Sequence, residues 1–106
     1  MPDTDPHKAK VIAFNEGYSK LFGRTPDDYS ANGYDGAMML FEAVKRAGPD
    51  FPPNRAKVRD EIEKTKDYFG VFCRGSASPT KHCLTDRESM VMTTVKNGKW
   101  VFLPWR

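Results

Sequence analysis

Residues 31–50 read ANGYDGAMMLFEAVKRAGPD: a loop, a helix and a hard stop. Ala37, Leu40, Phe41, Val44 and Gly48 recur at helical spacing and form one stripe. Met38 and Met39 widen it as adaptable filler. Asp35 stands at the positive end of the dipole, Lys45 and Arg46 at the negative end, and Gly48-Pro49 stops the helix. The pattern predicts a helix from about Tyr34 to Ala47. Its opening poses the functional question. Tyr34 and Asp35 put a phenol and a carboxylate at a helix mouth. There they serve either as staple and cap or as the wall of a ligand site.

Upstream, Asp5-Pro6 is a helix start, because Asp5 can cap and Pro6 suits the first helical position. Val11, Phe14, Tyr18, Leu21 and Phe22 give that helix one apolar face, and Gly23 supplies a left-handed stop. RTPDDYSANG, residues 24–33, reads as a loop on its Pro, Asp, Ser and Asn content. Downstream, PDFPPN is a rigid connector to a third helix from about Asn54 to Thr65, whose apolar face is thin: Val58, Ile62 and Thr65, with Ala56 marginal. YFGVFC, residues 68–73, reads as a short strand, with Gly70 marking a close backbone approach.

The C-terminal SMVMTTVKNGKWVFL holds two β-rich runs joined by Asn97-Gly98, the favoured two-residue hairpin turn. In that register Val95 faces Trp100 and Thr93 faces Phe102 on one side, while Met92 faces Leu103 and Thr94 faces Val101 on the other. Both faces are largely apolar, whereas the hairpin of a small domain ordinarily keeps one face wet. The expected fold class is α/β: three helices, a short strand and a C-terminal β-hairpin. Such a hairpin needs cover on both sides, so residues 1–106 read as a single incomplete domain or as a domain that associates.

The totals narrow the function. A chain of 106 residues is one domain at most. With 39% hydrophobic and 29% charged residues it is globular rather than disordered. No apolar run approaches a membrane span, and MPDTDPHKAK lacks the basic and apolar regions of a signal peptide. The net charge is +3, with 17 basic and 14 acidic residues interspersed, which argues against a nucleic-acid partner. Cys73 and Cys83 are either free or bridged; the spacing permits both, since Gly75 and Pro79 allow the intervening loop to reverse. With His82 they fall short of a metal site for want of a fourth ligand, and no third group orients a Cys–His pair for catalysis. Nothing in the sequence calls for a cofactor, a metal or an enzymatic reaction.

The ordered set F-x-x-x-Y-x-x-x-F-G-R-T-P, A-x-G-Y-D-G-A, K-R-A-G, F-G-V-F, S-P-T-K-H-C-L and V-K-N-G-K-W, spread over about residues 5 to 103, resembles the C-terminal part of type I periplasmic solute-binding proteins of the leucine/isoleucine/valine-binding kind. The resemblance implies a partial type I periplasmic-binding-protein-like fold. It also implies a role, without chemistry, as the substrate-binding component of an ABC transporter for branched-chain amino acids or related small molecules. In that family two α/β lobes close on a solute and dock onto a membrane permease, in the periplasm. The resemblance then implies that the signal peptide and most ligand contacts lie outside these residues. Tyr34, Asp35 and, five residues earlier, Tyr29 map near the family's cleft and are the candidate ligand-binding residues. The polar loop departs from the family pattern S-P-x-D-H-x-G-L: Lys81 stands where the acid is expected and the glycine is missing, so His82 reads as a surface residue. The alternative reading is a self-contained small interaction protein that associates through its apolar hairpin. The oligomeric state is open in the sequence.

Overall fold

A computed structural model describes residues 4–103. Helix α1, Pro6–Phe22, begins and ends as its sequence demands. The Asp5 carboxylate accepts the His7 N–H at 2.9 Å, and Gly23, at φ 67°, turns left-handed and bonds back to the Ser19 carbonyl.

Helix α2, Asp28–Ala47, is longer than expected. The expected loop at 24–33 is helical from Asp28 onward, and the helix does not open at Tyr34. The same Pro-Asp-Asp-Ser residues that favour turns are also helix starters. Asp27 accepts the Ser30 N–H at 2.8 Å and its hydroxyl at 2.6 Å. These bonds hold its carboxyl below the usual range. Tyr34 and Asp35 therefore lie two turns inside α2, and Asp35 does not cap it.

Helix α3, Arg55–Glu63, is capped by Asn54, whose side chain accepts the N–H groups of Ala56 and Lys57. It packs on α2 around buried Ala43 and Val58. Arg46 clamps the far ends together, donating to the Glu61 carbonyl at 2.9 Å and the Thr65 hydroxyl at 3.1 Å.

The expected strand at 68–73 is instead a tight hairpin: β1, Tyr68–Phe69, pairs antiparallel with β2, Arg74–Gly75. A 3-10 turn at Arg87–Ser89 leads to β3, Met92–Lys96, and β4, Lys99–Leu103. These pair in the expected register, Val95 opposite Trp100 and Met92 opposite Leu103. Asn97 at φ 51° and Gly98 at φ 73° make the turn that requires two left-handed residues. The two hairpins are separate two-stranded sheets.

The core is thin. Buried apolar residues among those described are Ala43, Val58, Val71, Cys73 and Ala77, and no large side chain is fully enclosed. The radius of gyration is 16.4 Å, against about 13 Å for a compact chain of this length. Met92, Val95, Trp100 and Leu103 are exposed, so the hairpin β3–β4 has no dry face. No helix among the described residues is long and apolar enough to cross a membrane.

Candidate functional site

Asp35 is the most constrained polar residue of the fold. It is 3% exposed and, with Ala43, is one of the two buried residues of α2. Its Oδ1 accepts the Val71 N–H at 2.8 Å, and its Oδ2 accepts the N–H groups of Phe72 at 2.7 Å and Cys73 at 3.1 Å. The Tyr68 hydroxyl donates to the Asp35 backbone carbonyl at 3.1 Å and lies 3.3 Å from Oδ1. One carboxylate thus gathers three successive N–H groups that a continuing strand would have offered to a ladder. That is why the chain reverses at 70–73 instead of extending. Gly70 makes the approach possible, since a Cβ there would sit well under 3.0 Å from the Asp35 carboxylate.

The clasp sets its neighbours' chemistry. Burial, then the Asp35 charge, pushes the Tyr68 phenol above its ordinary range, and the same two causes push the Cys73 thiol up to about 11. The N-terminus of α1 docks on the same turn. His7 Nε2 lies 2.9 Å from the Gly70 carbonyl, with its ring edge-on to Phe69 at 5.2 Å, and the Lys10 ammonium meets the Phe69 carbonyl.

The sequence-derived candidates separate. Asp35 faces inward, 3% exposed, with both oxygens held by the chain's own donors, so within this chain it acts as an anchor for residues 71–73. Tyr34, 43% exposed, packs its ring 5.1 Å from Phe14 and lines a cleft of about 360 Å³ with Lys10, Tyr18 and Val71. Tyr29 stands 86% exposed in the first turn of α2. A larger apolar cleft of about 540 Å³ lies between α2 and α3, floored by Leu40, Val44, Val58 and Ile62. His82 is on its rim, 71% exposed and 3.4 Å from Glu63. The sequence reading did not link Gly70 and Tyr68 to Asp35; the available signal was a glycine inside an aromatic run.

Both thiols are free, Cys73 buried and Cys83 exposed. The Thr85 N–H points at the Cys83 sulfur, 3.4 Å away, and pulls that thiol below its ordinary value. At pH 8, Cys83 is therefore expected to react with a disulfide reagent in the native chain, and Cys73 only after denaturation. Two titratable native thiols, or none, would contradict this placement. Because folding raises the Cys73 value from 9.0 to about 11, the unfolded chain releases that proton first. Its contribution to stability is full below pH 9 and is lost as pH climbs from 9 toward 11. Among the described residues no cluster of three or more His, Cys, Asp or Glu is placed to hold a metal ion.

A family model described as periplasmic binding protein matches residues 1–99. Among solved structures, the chain is similar to a leucine binding protein of Thermotoga maritima MSB8. The identity is 30% and the TM-score 0.67, over 95% of this chain and 26% of that one. It is similar to a putative branched-chain amino acid ABC transporter from Rhodospirillum rubrum at 29% identity and TM-score 0.73, covering 94% and 27%. An extracellular ligand-binding receptor from Rhodopseudomonas palustris HaA2 shares the fold at TM-score 0.80 and 24% identity, covering 97% and 30%. None of the curated proteins matches. The chain spans less than a third of the length of these structures. The order of its elements and the match over nearly its whole length lead to one assignment: the chain belongs to the periplasmic binding protein family.

Proposed function

We propose that this chain forms one wall of the solute cleft in the receptor of an ABC importer for leucine-like amino acids or related small molecules. The observation that carries the reading is the match of at least 94% of the chain, at 29–30% identity, to a leucine binding protein and a putative branched-chain amino acid ABC transporter. The site residues are divided by what their surroundings allow. Tyr29 offers an open aromatic face for an apolar side chain, and Tyr34 supports the wall from the α1 side. Asp35 holds the 68–75 hairpin against α2, the helix that carries both phenols. The remaining cleft contacts, the closure of two lobes, the docking on a permease and the periplasmic location are carried by a receptor of the relatives' length.

A chimera tests this. The matching segment of the Thermotoga leucine binding protein is replaced by this chain and titrated with leucine. Micromolar binding is expected, weakened about ten-fold, or about 1.4 kcal/mol, by Tyr29→Ala. A chimera that folds but binds no amino acid, or one indifferent to Tyr29→Ala, would contradict the assignment of this wall.

A further inference from the structure

The chain joins α1 to α2 through residues 23–27, at one end of the pair. Packing does little to place the other end. No residue of α1 is fully buried, and a cleft of about 360 Å³ opens between Phe14 and Tyr18 of α1, Tyr34 of α2 and Val71. Two side-chain contacts cross between the helices. The Phe14 and Tyr34 rings lie 5.1 Å apart, and the Ser30 hydroxyl lies 3.2 Å from that of Tyr18. Ring packing attracts without fixing direction, so it leaves the N-terminal end of α1 free to swing.

That end is held by directional bonds to the turn at 69–73. His7 Nε2 lies 2.9 Å from the Gly70 carbonyl, and because a carbonyl only accepts, the imidazole donates. One helical turn on, on the same face, the Lys10 ammonium donates to the Phe69 carbonyl and stands 5.6 Å from the centre of the Phe69 ring. On its other side the turn gives the N–H groups of Val71, Phe72 and Cys73 to Asp35 of α2. Its carbonyls thus face donors of α1 and its N–H groups face a carboxylate of α2. The turn bridges the two helices at the end where the chain does not, and it sets how closely Phe14 approaches Tyr34.

We infer that His7 and Lys10 are positioning residues for the cleft wall: they hold α1 to the 69–73 turn, keep Phe14 on Tyr34, and so set how much of the Tyr34 ring a solute meets. The effect on a solute rests on the receptor reading; the placement of α1 does not. Two measurements separate them. The first is tyrosine nitration of the 106-residue chain, read by mass spectrometry, with exposed Tyr29 as internal standard. In His7→Leu/Lys10→Met the rate at Tyr34 is expected to rise toward that at Tyr29, a doubling on exposures of 43% and 86%. Amide exchange at residues 71–73, which Asp35 holds, should stay as slow as before. His7→Gln, which keeps a side-chain N–H for the Gly70 carbonyl, should leave Tyr34 at its starting rate. A Tyr34 rate unmoved in the double variant, an equal rise in His7→Gln, or faster exchange at 71–73 alongside the rise would overturn the inference. The second is leucine titration of the Thermotoga chimera. His7→Leu/Lys10→Met is expected to raise the dissociation constant about five-fold, the scale of one lost hydrogen bond, with His7→Gln close to the unmodified chimera. An affinity indifferent to the double variant while Tyr34 opens would overturn the positioning role. A chimera that binds no leucine contradicts the receptor reading, and nitration still decides the placement of α1.

Discussion

Asp35→Ala is expected to abolish the cooperative fold of the 68–75 hairpin and to cost about 4 kcal/mol or more. The substitution leaves the N–H groups of Val71, Phe72 and Cys73 without an acceptor, and the Tyr68 hydroxyl without the carboxylate. Each buried donor stranded this way costs about 1–3 kcal/mol. With a buried set as small as Ala43, Val58, Val71, Cys73 and Ala77, little else resists the loss. Asp35→Asn keeps one acceptor oxygen but turns an NH₂ group toward N–H donors, so it should recover only part of the stability. Urea unfolding at fixed chain concentration reads the difference. An Asp35→Ala midpoint equal to that of the unmodified chain would remove the clasp from the account of the fold.

Gly70→Ala should be nearly as severe, and for a different reason. Gly70 has no positive φ to protect; what forbids a side chain is space, because a Cβ would collide with the Asp35 carboxylate. Relief requires the carboxylate or the turn to move, which breaks the bonds to residues 71–73, at a cost of about 3 kcal/mol by the usual scale of overpacking. The two substitutions should couple strongly. In an Asp35→Ala background the obstructing atoms are gone, so Gly70→Ala should add well under 1 kcal/mol. Additive costs in the double mutant would show that Gly70 is required for some reason other than Asp35.

Local chemistry was legible wherever a residue acts on its own neighbours. Asp5-Pro6 and Gly23 bounded α1, Asn54 started α3, and Asn97-Gly98 set the register of β3–β4, each through bonds within a few positions. The first turn of α2 was missed because Pro26, Asp27 and Asp28 serve a turn and a helix start equally, and only the bond from Ser30 to Asp27 decides between them. The hairpin at 68–75 was missed because its cause lies more than thirty residues away: residues 68–73 have strand chemistry, and the Asp35 carboxylate withdraws three of their N–H groups from any ladder. For the same reason the sequence showed Asp35 as a candidate contact and could not show that it points inward. Tyr29 and Tyr34 were visible as aromatic residues near a helix start, while the difference in their exposure comes from Phe14 on α1.

The central claim is that these residues supply one wall of a cleft and not a whole one. Micromolar binding of an amino acid needs about 8 kcal/mol, and a single exposed contact contributes roughly 0 to 1 kcal/mol. Tyr29 offers a ring face and Tyr34 a half-exposed one, while the Asp35 carboxylate is held by Val71, Phe72 and Cys73. The donors for a solute carboxylate must come from other elements. The direct measurement is calorimetric titration of the purified 106-residue chain with leucine, valine and aromatic amino acids. No saturable heat is expected with any of them; saturable micromolar binding to one would mean that the chain builds a complete pocket by itself and would contradict the claim.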